Sequence, residues 1–143
     1  MRTVADVNVL FSLLVAGHPH HAECWSWWER QGERAVVLCW PARMGVLRLL
    51  TNARAMGGTP VTPEQALSAW DQLSDDPRTV WAEPTEGLDR LLRQFVAGRA
   101  PTPNLWSDAW LAAHAESLGC RLTSLDAGFR SFGLKQFHWL RES

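Results

Sequence analysis

Apolar residues along the chain follow two rhythms. Short uninterrupted apolar runs alternate with longer stretches in which apolar side chains return every three or four positions. Residues 3–6 read as a short strand ending at Asp6. Residues 35–40 form a continuous apolar run, as expected of a parallel strand covered on both faces. Residues 79–82, 121–125 and 136–140 complete five predicted strands. Between them, residues 7–16 read as a buried helix closed by Gly17 and Pro19. Residues 20–31 place Ala22, Trp25 and Trp28 at helical spacing, and Gly32 stops them. A third helix opens at Pro41, carries Met44, Leu47, Arg48 and Leu50, and ends near Asn52. Thr62-Pro63-Glu64-Gln65 has the form of a capping box and starts a helix with Ala66, Leu67, Trp70 and Leu73 on one face. Residues 88–96 and 105–118 are also helical, the latter stopped by Gly119. Asp126-Ala127-Gly128 reads as a turn.

This alternation predicts a three-layer α/β/α domain with a mainly parallel central sheet. A length of 143 residues suits one domain over 1–143 and leaves little room for a second core. With 46% hydrophobic residues and a net charge of -1, disorder is excluded. So is a protein that coats nucleic acid through bulk charge. No apolar run reaches the ~20 residues of a membrane span. Asp6 and Asn8 come too early for a secretory leader, so the chain is expected to be cytoplasmic. Cys24, Cys39 and Cys120 lack zinc-type spacing and read as small apolar residues in a reducing compartment. Lys135 is the single lysine among 14 basic residues, leaving arginine forks to meet any phosphate.

Three acids stand out by position. Asp6 closes the first strand, Asp108 lies in the first turn of a late helix, and Asp126 follows the strand after that helix. In βαβ units a strand's carboxyl end and the next helix's amino end share one edge of the sheet, so the three carboxylates can converge there. At ~5 Å and an effective dielectric of ~20, each pair of charges would cost roughly 3 kcal/mol. A hard divalent cation would offset that repulsion. Each acid also has an ordinary local use: Asp108 favours a helix amino end, and Asp126 can cap the turn before Gly128. Spacing alone leaves both readings open.

Neighbouring residues add to this. Asp6-Val7-Asn8-Val9-Leu10, Asp108-Ala109-Trp110-Leu111-Ala112-Ala113 and Thr123-Ser124-Leu125-Asp126-Ala127-Gly128-Phe129 resemble, in order, the three motifs of PIN domains. The likeness is greatest to VapC-type toxin ribonucleases of bacterial toxin–antitoxin pairs. It extends to the His-Pro-His-His-Ala segment, to Leu47-Arg48-Leu49-Leu50 and to Phe132-Gly133-Leu134. The resemblance implies a PIN fold, RNA cleavage dependent on Mg2+ or Mn2+, and an antitoxin partner. It also implies Asp6, Asp108 and Asp126 as catalytic metal ligands, with Ser124 in a supporting place and Asn8 beside it. The family usually adds a glutamate shortly before the Leu-Arg pair, but residues 41–52 contain no carboxylate. A trio should hold one ion weakly where a quartet holds more.

The favoured function is therefore a metal-dependent endoribonuclease acting as a toxin, expected to be a homodimer. Its rival is a PIN-like domain that has lost a ligand and only binds RNA or a protein. A haloacid-dehalogenase phosphatase is excluded, because Asn8 stands where that chemistry needs a second Asp. His18, His20 and His21 suggest a metal patch but flank Pro19 and read better as a surface turn. His114 is expected to be partly buried. Trp25, Trp28, Trp70 and Trp110 could stack on bases but suit core or dimer contacts better. Arg43, Arg48 and Arg130 are the arginines nearest the proposed edge.

Overall fold

A computed structural model describes residues 1–142. Five strands, β1 (Thr3–Ala5), β2 (Val36–Leu38), β3 (Thr79–Trp81), β4 (Arg121–Ser124) and β5 (Phe137–Trp139), form one fully parallel sheet in the order β3-β2-β1-β4-β5. The helices are α1 (Val7–Leu14), α2 (His21–Glu29), α3 (Trp40–Leu50), α4 (Pro63–Ser74), α5 (Leu88–Val96) and α6 (Leu105–Ser117). Two short 3-10 segments, Ala127–Phe132 and Leu140–Glu142, follow β4 and β5.

Strand order dictates the layers. From β1 through β2 to β3 the chain moves one way across the sheet, carrying α1 to α4. It then jumps back over β2 and β1 to reach β4, carrying α5 and α6. Because parallel crossovers are right-handed, the reversal places α5 and α6 on the opposite face from α1 to α4. The sheet is thus covered on both sides, and every residue of β1 and β2 is buried. Trp27, Trp28, Trp70 and Phe129 supply the bulk of the core beyond its aliphatics. Two threonines lie inside it at the β1–β4 junction. Thr3 and Thr123 share a 2.7 Å hydroxyl hydrogen bond, and Thr3 also reaches the Arg121 carbonyl oxygen at 3.2 Å.

The predicted elements are all present, with shorter strands. The apolar run 35–40 stops pairing at Leu38 because Pro41 lacks a ladder N–H, and Trp40 instead opens α3. The Thr62–Gln65 capping box closes reciprocally, at 3.1 and 2.9 Å. The turn expected at Asp126 is the entry to a longer 3-10 segment, which ends at Gly133 in the left-handed region (φ 67°).

Replacing Thr123 by Val keeps the shape and removes the hydroxyl pair. We expect a loss of about 1 kcal/mol, read as a melting temperature lower by roughly 3–6 °C. The Thr3 hydroxyl keeps Arg121 as acceptor, so a much larger fall would contradict this account.

Candidate functional site

The reversal of strand order between β1 and β4 is the switch point at which open parallel sheets form a crevice outside their carboxyl ends. Asp6 follows β1 there. It is buried (7% exposed) and caps α1, its Oδ1 accepting the Val7 N–H at 2.7 Å. Its Oδ2 accepts the Ser124 hydroxyl at 2.7 Å. That hydroxyl in turn accepts the Asp126 N–H at 2.9 Å and the Asn8 side-chain amide at 3.3 Å. One donor and two acceptor sites exhaust what a serine oxygen offers. Asn8 completes the loop, its Oδ1 accepting the Leu125 N–H at 3.2 Å. The ends of β1 and β4 are thereby locked in one register.

Asp6, Asn8, Asp108 and Asp126 line a single open cleft of about 670 Å³. Helix α6 brings Asp108 in on the face that also presents Asn104, Ser107 and Leu111. Helix α3 forms the opposite wall through Pro41, Met44, Gly45 and Arg48. Asp126 caps the 3-10 segment, its Oδ1 accepting the Gly128 N–H at 2.8 Å. Asp126 thus keeps its local capping role while also lining the cleft.

Charge is crowded here. Burial pushes the Asp6 carboxyl above its ordinary value, and the Asp126 charge adds to that, against the hydrogen bonds from Ser124 and Val7. Asp108 is pushed up to about 6, first by burial and then by the charges of Asp6 and Asp126. No other ionisable group is needed to explain either shift. All the donors are hard oxygens, which fit a magnesium- or manganese-like ion. Among the described residues, no three His, Cys, Asp or Glu side chains form a ready-made ion cage.

The α3 wall also packs tightly against α1. Gly45 faces Val7, and a Cβ built on it would lie 2.7 Å from Val7 Cγ2 and 3.0 Å from Cγ1. With both methyls close, rotating the valine cannot clear the space, so α1 and α3 would have to separate. Gly45 thus lets α3 and α1 pack closely beside the cleft.

Other candidates settle elsewhere. His18, His20 and His21 form a tight turn: His18 Nδ1 accepts the His20 N–H at 3.1 Å, and His21 Nδ1 lies 2.8 Å from the Ser12 carbonyl oxygen. They build the entry to α2. His114 is fully buried against Trp110, not partly buried as expected. Trp28 and Trp70 are buried with the core, whereas Trp25 is exposed. Of the three arginines, Arg48 lines the cleft, Arg43 lies on Trp40 and Arg130 on Trp139. Sequence reading missed the Asn104–Ser107 rim and the exposed Trp40 and Trp81. Asn104 and Ser107 could have been found by stepping one helical turn back from Asp108 and Leu111.

A family model described as the PIN domain matches residues 3–134. Ribonuclease VapC41 of Mycobacterium tuberculosis is 35% identical over 136 residues, spanning 91% of this chain and 92% of its own. Ribonuclease VapC48 of the same species is 30% identical over 135 residues, covering 92% of each. Among solved structures, Mycobacterium tuberculosis VapC20, described as a sarcin-ricin loop cleaving toxin, superposes with a TM-score of 0.67 at 16% identity. That match covers 92% of this chain and 95% of the other. VapBC-1 from nontypeable Haemophilus influenzae gives 0.66 at 20% identity, covering 97% and 98%. These two show a shared fold.

Two outcomes follow from the crowded cleft. In chelator the folded chain holds the Asp108 proton up to about pH 6, whereas the unfolded chain releases it near 4. Stability should therefore fall as pH rises between those values. Asp108→Asn should flatten that slope and melt roughly 2–4 °C higher at pH 7; an unchanged slope would refute the repulsion. Gly45→Ala should cost about 1–2 kcal/mol in denaturant titration, even though alanine favours helix. A stabilised Gly45→Ala would mean that α1 and α3 part easily.

Proposed function

This chain belongs to the PIN domain family, and from that premise we propose that it is a metal-dependent endoribonuclease, the toxin component of a type II toxin–antitoxin pair. The observation that carries the reading is the convergence of Asp6, Asp108 and Asp126 on one cleft at the β1–β4 switch point. Ribonuclease relatives at 35% and 30% identity over nearly the whole chain support the same reaction class.

In this reading the three carboxylates hold a Mg2+ or Mn2+ ion. Such an ion, held by Asp6, Asp108 and Asp126, would supply Lewis-acid activation of water and neutralise charge at the phosphate. The rest falls to the chain itself. Ser124 and Asn8 fix the Asp6 carboxylate so that its position does not depend on substrate. Arg48, on the α3 wall, offers donors to the RNA backbone where it enters the cleft. Asp126 leaves one oxygen outside its cap for the cleft, and Asp108 closes the far side from α6. A cluster of negative charge also suits an antitoxin that inserts a basic side chain, giving the same neutralisation without catalysis. A homodimer remains part of the proposal.

The absence of any carboxylate in residues 41–52 favours one other reading, a domain that binds RNA or protein without cutting. Expression in a host without antitoxin separates the two. The nuclease reading expects growth arrest that Asp6→Asn relieves, and cleavage of single-stranded RNA that chelator abolishes and Mn2+ restores. Ser124→Ala should cut faster than Asp6→Asn and slower than wild type, by about 10–100-fold. Equal toxicity of wild type and Asp6→Asn, with no cleavage, would establish the binding-only domain.

A further inference from the structure

We propose that the corner between α3, α4 and β3 binds an unpaired guanine base of the RNA whose backbone crosses the carboxylate cleft, an inference that rests on the nuclease reading above. The corner is a pocket of about 270 Å³ lined by Trp40, Arg43, Trp70, Asp71, Ser74 and Trp81. Trp70 is buried and forms its floor, while Trp40 and Trp81 stand 51% and 36% exposed. Their rings meet nearly at right angles (82°), with centroids 5.1 Å apart. Trp81 is held in place by its indole N–H, which donates to Glu83 at 2.7 Å. A flat ring can thus lie on one indole while its edge meets the other.

The polar groups select among flat rings. Arg43 lies 5.0 Å over the Trp40 ring, and its Nε is shielded from solvent without an acceptor. No carboxylate pairs with it among the described residues, since the ion pairs are His20–Glu23, Arg78–Asp76 and Arg93–Asp89. That positive charge is left for a polyanion. Asp71 contributes only acceptors while ionised. Among the four RNA bases, guanine alone presents two adjacent donors, the N1–H and the 2-amino group, to a carboxylate. Ser74 can serve either role.

Position links the pocket to the cleft. Val4 of β1 pairs with Val37, and Leu38 pairs with Trp81. Trp81 is therefore two strand spacings, about 10 Å, along the same sheet edge from the residue preceding Asp6. Helix α3 borders both places, with Pro41, Met44, Gly45 and Arg48 in the cleft and Trp40 and Arg43 in the pocket. A strand leaving the cleft across α3 reaches the pocket within a nucleotide or two. This continuity and the free arginine charge favour a nucleic acid over a protein side chain.

Two measurements test it. In chelator, quenching of tryptophan fluorescence reports binding of heptauridylate and of the same heptamer with a central guanosine. With Mn2+, cleavage ends of a randomised single-stranded RNA pool are sequenced. Wild type should bind the guanosine heptamer about tenfold more tightly and cut at a fixed short distance from guanine. Trp40→Leu should erase that difference and raise KM, and Asp71→Asn should erase the guanine preference while still binding uridylate. Melting curves confirm that both variants fold. Folded variants with the wild-type preference and KM would overturn the pocket and leave the nuclease standing. So would variants that cleave normally but no longer hold a co-expressed protein partner. Guanine-dependent binding without any cleavage would support the pocket and sink the nuclease reading.

Discussion

The cleft depends on one constraint: like charges must be held together by something other than attraction. Covalent connectivity supplies most of it, because the reversal of strand order between β1 and β4 brings residues 6 and 126 side by side. The Ser124 hydroxyl supplies the rest. It donates to one acidic side chain and accepts from the backbone of another acidic residue, so neither end can relax away from its neighbour. Beneath it, the Thr3–Thr123 hydroxyl pair fastens the same two strands from inside the core. Polar groups in a parallel core carry a desolvation cost, and here that cost is spent where the negative charge must be kept in place.

Much of this was legible in the sequence because the signals were local. Apolar rhythm, the Thr62–Gln65 cap and the glycines after helices located the elements, and the βαβ rule placed Asp6, Asp108 and Asp126 on one edge. The motif resemblance added Ser124 and Asn8. What could not be read were facts of packing between distant segments. Nothing near Gly45 announces that Val7 lies against it, and nothing near Trp81 announces that Trp40 will meet its ring. Tryptophan was the least legible residue, since its spacing on a helix predicts a face but not whether that face meets the sheet or water. Trp28 and Trp70 went inside and Trp25 stayed out. His114 was misplaced for a related reason: its helix is covered by α5, which burial arithmetic on α6 alone does not reveal.

The α1–α3 contact depends on the absence of one side chain. A glycine in a helix interior is unfavourable by itself. It is tolerated here because it lets Val7, the residue next to Asp6, approach α3. Close approach steadies the amino end of α1, and with it the cap formed by the Asp6 carboxylate.

The central place of β1 has a consequence for how the molecule comes into being. Its partner on one side, β4, begins at residue 121, so the pairing that builds the cleft joins segments about 118 residues apart. During synthesis the first 120 residues can form β1, β2, β3 and the helices around them, but β1 then has an open flank. The Ser124 clasp and the Asp126 cap arrive together, only after the 120 residues before β4 have been made. Contacts of such long range also form late in folding. A translation product cut short before β4 would carry Asp6 but no assembled cleft.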